Sequence, residues 1–170
     1  MQRARSVLVV ALAIVLACTG AAGPAAASGH HSRSWRSGVF AEGGPSESLE
    51  FGAWRGQGIR SATLCPPAGS WNALENPPPV VTAWRNHPQV RVGLSYPLWA
   101  NSMLSGSLAA AAAGTYDSHY AALADHLVHD GLSHAILRLG WEFNGTWYPW
   151  SARTASDARD YRNAWRRIVS

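Results

Sequence analysis

Four times along this chain a short apolar or β-branched run is followed by a stretch with helical spacing. That alternation constrains the fold more than any other feature of the sequence. Gly38-Val39-Phe40 is the first strand candidate, with a helix expected from about Ser46 to Trp54. Ile59 to Leu64 reads as the second strand, stopped by Cys65-Pro66-Pro67, and a helical region from Trp71 to Asn86 is broken at Pro77-Pro78-Pro79. Val90 to Tyr96 is the third strand, ended by Pro97. Tyr116, Tyr120, Leu123 and Leu127 then fall on one helical face, with Asp117 as the expected N-cap and Gly131 as the stop. Ala109 to Ala113 offers a short extra helix just upstream. His134 to Leu139 is the fourth strand, and Ser156 is placed to cap a last helix with Tyr161, Trp165 and Ile168 on one face.

Repeated β-α units of this kind predict a parallel sheet in an α/β fold. A doubly wound sheet and a TIM barrel both satisfy the pattern. A nucleotide-binding doubly wound fold calls for a glycine-rich loop after its first strand, and Phe40-Ala41-Glu42-Gly43-Gly44-Pro45 is not G-x-G-x-x-G. The expectation is therefore a (β/α)8 TIM barrel. A complete barrel takes roughly 250 residues and eight units, so residues 37–170 are expected to hold only about the first four β/α units. Such a chain is the N-terminal half of a barrel, either a truncated reading frame or a half that needs a partner.

The start of the chain has its own signature. Arg3 and Arg5 precede an apolar run from Val7 to about Ala17, and Ala25-Ala26-Ala27 offers a cleavage site before Ser28. This is the layout of a secretory signal peptide over residues 1–27, cleaved near Ala27-Ser28. The apolar run falls short of the ~20 residues that span a bilayer, so no membrane association beyond the signal is expected. Val15-Leu16-Ala17-Cys18 is a loose match to a lipoprotein site at Cys18. Residues 28–36 are polar and read as a flexible new N-terminus. Removal of the signal leaves Cys65 as the one thiol, which rules out an internal disulfide framework.

Lysine is absent, and the 14 basic residues are all arginine, scattered except for Arg166-Arg167. With no basic stripe interleaved with aromatics, nucleic acid is not an expected partner. Nine tryptophans are the compositional oddity. Indole faces pack cores, and on an exported protein they also stack against sugar rings, so their number points toward carbohydrate without deciding between an enzyme and a binding module.

The most informative stretch runs Arg138-Leu139-Gly140-Trp141-Glu142-Phe143-Asn144-Gly145-Thr146-Trp147-Tyr148-Pro149-Trp150. It sets one carboxylate at the C-terminal end of the fourth strand, where barrel enzymes carry their catalytic groups. Hydrolysis of a glycosidic bond needs a carboxylic acid to protonate the departing oxygen and a second carboxylate across the sugar. A glutamate desolvated among indole rings is held protonated near neutral pH. Strand alternation is expected to put Ile136, Arg138, Gly140 and Glu142 on one side, with Arg138 orienting the carboxylate or balancing its charge. A surface glutamate, or one buried against an arginine, fits the same residues.

This stretch resembles glycoside hydrolase family 26, the β-mannanase family, whose members read R-P-x-H-E-M-N-G-x-W-x-x-W here. Arg138, Glu142, Asn144, Gly145, Trp147 and Trp150 stand in register with that pattern. Tyr161 to Arg167 is similar to the family's following helix with its W-R-H, and residues 114–131 to the helix before strand four. The resemblance is strongest over about residues 114–170. It implies an exported endo-β-glycanase with a retaining mechanism and Glu142 as acid/base. Asn144 would bond a sugar hydroxyl, Trp147, Tyr148 and Trp150 would stack on sugars, and Arg138 would support Glu142; apart from the resemblance, Trp99, just past the third strand, is placed to line a sugar subsite. Two departures stand out: Trp141, itself a candidate to touch substrate, replaces the family's histidine before the acid/base glutamate, and Arg167 replaces the histidine of W-R-H. They leave β-glucans and xylans as implied substrates beside β-mannan. The family's nucleophile lies on strand seven, beyond Ser170, and acid/base hydrolysis of this kind implies no cofactor.

Other polar residues carry less. His126 and His129 lie one helical turn apart near Asp130 and His134, but without a third ligand at convincing spacing. They read as a solvated helix face, as do His119 and Asp125. No G-x-S-x-G is present, so serine nucleophile chemistry is not expected.

Overall fold

The computed structural model describes residues 37–100 and 106–170. The expected signal peptide, the Cys18 lipoprotein site and the tail at residues 28–36 lie outside the described residues. Strands β1 (Gly38–Phe40), β2 (Ser61–Leu64), β3 (Arg91–Tyr96) and β4 (Ile136–Leu139) form one sheet. Between β1 and β2 runs α1 (Gly44–Trp54). Between β2 and β3 lie α2 (Trp71–Glu75), α3 (Pro79–Thr82) and a 3-10 turn (Ala83–Asn86). The β3–β4 connection holds α4 (Leu108–Ala112) and α5 (Asp117–His129), and α6 (Ala155–Ile168) follows β4. The sheet is parallel throughout and its order is β1-β2-β3-β4. Each strand pairs with its sequence neighbour, so the order never reverses. Among the described residues no helix is long and apolar enough to cross a membrane.

Strand alternation gives the sheet two unlike faces. Ala62, Leu64, Val92, Leu94, Tyr96 and Leu139 are buried against the helices. They meet Leu74, Val81 and Trp84 from the β2–β3 connection, Leu123 and Leu127 from α5, and Ala164 from α6 in one core. Leu94 and Leu123 are fully enclosed, and truncating either to alanine costs roughly 2–5 kcal/mol. On the opposite face the register lines up Phe40, Thr63, Gly93 and Ile136 across the four strands. Phe40 is 61% and Ile136 50% exposed.

Several expected boundaries shift for local reasons. Ile59 turns into the core before β2 begins, while the Arg60 N–H donates to the Ser37 carbonyl. His134 and Ala135 belong to a turn closed by the Ala135 N–H on the Leu132 carbonyl, so β4 starts at Ile136. Helix α5 buries Tyr120, Leu123 and Leu127 as the spacing predicts, and Tyr116 is half-buried. Its N-cap, however, is Tyr116 rather than Asp117, whose carboxylate instead takes the Arg167 guanidinium at 2.5 Å. Gly131, at φ +76°, ends α5 with the Leu132 N–H on the Leu127 carbonyl and the Gly131 N–H on the Val128 carbonyl. This is the Schellman arrangement for which a glycine is favoured. Helix α6 is capped by Thr154, not Ser156: the Asp157 N–H donates to the Thr154 hydroxyl, and the Asp157 carboxylate accepts from the Thr154 N–H. The expected α6 face is rotated, because Ala164 is the residue fully buried and Trp165 turns outward. The alanine-rich α4 permits this, since small side chains such as Ala111 let two helices approach closely.

Candidate active site

Residues 140–152 form a tight loop at the C-terminal end of β4. Gly140 leaves the strand with φ +55° and lies so close to Leu98 and Tyr161 that a β-carbon there would come within 2.8 Å of Leu98 Cγ and 3.0 Å of Tyr161 Cε2. The Tyr161 hydroxyl fixes this exit from α6, lying 3.0 Å from the carbonyl oxygens of both Leu139 and Gly140. Burial pushes that hydroxyl above the ordinary tyrosine range, with the nearby Arg138 guanidinium acting in the opposite sense. Tyr161 was legible in the sequence as a packing residue of α6. Its grip on the strand end was not, because the two are joined only by the fold.

Glu142 has φ +55° and is the one non-glycine residue with positive φ among the described residues. The left-handed conformation costs a side-chain-bearing residue about 1–2 kcal/mol, and such strain gathers at functional sites. The Gly145 N–H on the Glu142 carbonyl closes a turn at 2.9 Å, and the Ala152 N–H on the Phe143 carbonyl at 2.7 Å closes the wider loop. Gly145 leaves room for the Trp147 ring, which folds back so that its indole N–H donates to the Glu142 carboxylate at 2.9 Å. Trp147 is 66% exposed and Glu142 is exposed beside it. The expectation of a carboxyl desolvated among indoles is therefore corrected: the rings that bury one another pack among themselves and leave Glu142 exposed.

Those rings are Trp99, Trp141, Tyr148 and Trp150. Tyr148 stacks on Trp150 at 4.6 Å, Trp141 meets Trp150 edge-on at 4.9 Å, and Trp99 meets it edge-on at 6.2 Å. The Trp150 indole N–H donates to the Trp141 carbonyl at 2.7 Å. Trp150 and Trp99 are each 1% exposed. Neither offers a face for stacking, and the expected roles of Trp150 as a platform and Trp99 as a subsite wall are corrected accordingly. Tyr148 and Trp141 are half-buried, and Asn144 is exposed. The surface aromatics are Trp147 and Phe143, the latter stacked on Tyr161 at 4.6 Å.

Strand alternation does not carry Arg138 and Glu142 to a common contact, because the backbone leaves β geometry at Gly140. The ion pairs of the described residues are Glu75 with His119, Asp130 with His129, and Asp117 with Arg167. Arg138 stands exposed on the open sheet face without joining Glu142. The histidines are also more structured than expected. His119 lies flat on Trp71 at 3.8 Å and holds the Glu75 carboxylate at 2.5 Å, while His126 Nδ1 lies 2.6 Å from the Glu75 carbonyl oxygen. They tie α5 to α2 rather than facing solvent. No group of three His, Cys, Asp or Glu side chains is placed to hold a metal ion among the described residues.

Among the described residues, cavities open away from Glu142. One, of about 390 Å³, lies at the opposite end of β3 and β4 and is lined by Arg85, His87, Arg91 and His134 among others. Another, of about 440 Å³, lies between the starts of α4 and α6. Glu142 lines neither of these two, and its carboxylate is exposed beside Trp147. No family model, curated protein or solved structure matches this chain.

Proposed function

We propose that residues 37–170 are the acid/base part of an exported β-glycanase, the first four units of a (β/α)8 barrel resembling the β-mannanases of glycoside hydrolase family 26. The observation that carries the reading is Glu142 itself, held in a strained backbone at the C-terminal end of β4 with its carboxylate gripped by an exposed indole N–H. The parallel sheet, wound in sequence order, supports a barrel, since a doubly wound sheet reverses its strand order partway across. The basic and apolar start of the chain supports export.

Glu142 protonates the departing glycosidic oxygen of a β-1,4-linked polysaccharide, a mannan, glucan or xylan, and a second carboxylate attacks the sugar from across the ring in a retaining reaction. Trp147 positions the Glu142 carboxylate and offers the sugar its exposed face, and Asn144 is free to bond a hydroxyl. Glu142 is the one carboxylate between Gly140 and Thr154. The resemblance puts the second carboxylate on a strand other than β1 to β4, so residues 37–170 are expected to bind glycan without turnover.

The test is affinity electrophoresis in gels containing mannan, mixed-linkage glucan or xylan, beside an assay for new reducing ends. Retardation by one of these polymers is expected, unchanged in Glu142→Gln and weakened roughly tenfold in Trp147→Ala. Migration unaffected by all three polymers sinks the glycan reading. Release of reducing ends by the chain sinks the claim that its second carboxylate lies elsewhere.

A further inference from the structure

The turns that lead into β3 and β4 enclose the cavity of about 390 Å³, at the other end of these strands from Glu142. Before β3, the His87 N–H donates to the Trp84 carbonyl and the Val90 N–H to the His87 carbonyl. Before β4, Gly131 ends α5, and the Ala135 N–H closes the next turn on the Leu132 carbonyl. β3 and β4 pair with each other, so these walls owe nothing to the outer sides of β1 and β4. Stepping back two residues from the Gly93–Ile136 pair sets Arg91 level with His134 at the cavity. Arg85 and His87 join them from the turn before β3, and Gln89 adds an amide.

The lining holds two arginines and two histidines and no carboxylate. All 10 acidic side chains of the sequence fall within the described residues, so residues 1–36 and 101–105 bring none to offset them. Asp130, next to the lining residue Gly131, pairs with His129 at 3.3 Å. No ion pair of the described residues engages Arg85 or Arg91. Like charges gathered without a counter-charge repel one another, and an anion among them relieves that repulsion. Trp84 forms a further wall, and its indole N–H is buried without a hydrogen-bond partner among the described residues. Buried polar groups are nearly always paired, so an orphaned donor beside a basic cavity is a second sign of an acceptor from outside the chain.

We propose that this cavity binds a small oxyanion, a phosphate or carboxylate group carried on a molecule of sugar size. Guanidinium forks match two oxygens of either group. The volume of about 390 Å³ lies within the ~300–1,000 Å³ of small-molecule sites. Arg85 and Arg91 supply the charge, and Gln89 supplies a neutral amide for the rest of the molecule. The site lies away from the Glu142 loop and does not depend on the glycan reading. Anion binding by a chain that ignores mannan, glucan and xylan leaves it standing.

Isothermal titration calorimetry of the full chain at physiological salt tests this with inorganic phosphate, sodium glucuronate and, as the neutral control, glucose. Saturable binding of phosphate or glucuronate is expected, and none of glucose. The tighter of the two anions identifies the preferred group as tetrahedral or planar. Arg85→Gln/Arg91→Gln is expected to weaken that binding at least about tenfold. Arg166→Gln, which changes an exposed arginine on α6, is expected to leave it unchanged. Arg85 and Arg91 are both exposed, so the double variant is expected to fold, which circular dichroism checks. Should it lose its helices, Arg85→Gln alone replaces it, with a loss of about threefold or more expected. Binding of neither anion overturns the proposal, as does glucose bound as tightly as glucuronate. So does anion binding that Arg166→Gln weakens as much as the cavity variant, or that the cavity variant leaves intact.

Discussion

The indole N–H of Trp147 donates to the carboxylate of Glu142 at 2.9 Å, across a turn closed by Glu142 and Gly145. The contact joins the two exposed side chains of the loop that have most to offer a sugar, and it orients the carboxylate without burying it. Trp147→Phe keeps a ring and loses the donor. It is expected to retain more glycan affinity than Trp147→Ala while matching it in stability, since an exposed ring contributes little to folding. Affinity gels and urea unfolding of the two variants check this.

The strain at Glu142 makes a separate prediction. Glycine adopts positive φ without the steric cost that a side chain incurs. Glu142→Gly is expected to be more stable than the parent by about 1 kcal/mol, less what the freer unfolded chain takes back. Glu142→Gln, with the same backbone strain, is expected to leave stability unchanged. Thermal unfolding that ranks the glutamine variant above the glycine variant contradicts the backbone assignment.

Trp150 and Trp147 lie three residues apart and are expected to separate cleanly. Trp150 is buried among Trp99, Trp141 and Tyr148 and bonds the Trp141 carbonyl. Trp150→Ala is expected to cost about 3–5 kcal/mol, measured as a fall in the urea midpoint, whereas Trp147→Ala should stay within about 1 kcal/mol of the parent.

Gly140 is expected to tolerate no side chain. Alanine there adds a left-handed backbone penalty to a clash with Leu98 and Tyr161, for a loss of at least about 2 kcal/mol. Tyr161→Phe, which removes the hydroxyl from the Leu139 and Gly140 carbonyls, should cost less, about 1 kcal/mol. Equal losses for the two would mean that the hydroxyl, not the packing, fixes the strand exit.

The capping box of α6 gives a pH dependence. The hydrogen bond with the Thr154 side chain, ahead of the backbone contacts of Thr154 and Arg153, holds the Asp157 carboxyl below the ordinary aspartate range. A carboxyl depressed in the folded state stabilises it fully above the ordinary value near 4, and that contribution is lost as pH falls through the lower folded value. Asp157→Asn should therefore be less stable than the parent at pH 6, and the gap should close as pH falls through and below the ordinary carboxylate range. Melting curves with a constant gap across that range would remove the carboxylate from the cap.

The order of strands and helices was legible in the sequence because period-two runs and the Tyr120-Leu123-Leu127 face are local patterns that burial reinforces. Gly131 was readable for the same reason, as a stop signal acting within its own turn. The sequence also marked Glu142 and its aromatic loop as the candidate site. It did not distribute the aromatics. Whether Trp150 or Trp147 faces solvent depends on how the loop folds back over Trp99, a residue 51 positions before Trp150 that reaches it only through the sheet. The Glu75–His119 pair joins residues 44 apart, and Asp117 exchanged its expected cap for Arg167, 50 residues on. The left-handed backbone of Glu142 follows from the strand exit that Gly140, Leu98 and Tyr161 impose together. Local periodicity determined the elements and their order. Tertiary packing alone decided which aromatic is buried and which residue's backbone is strained, because both depend on contacts between residues the sequence keeps far apart.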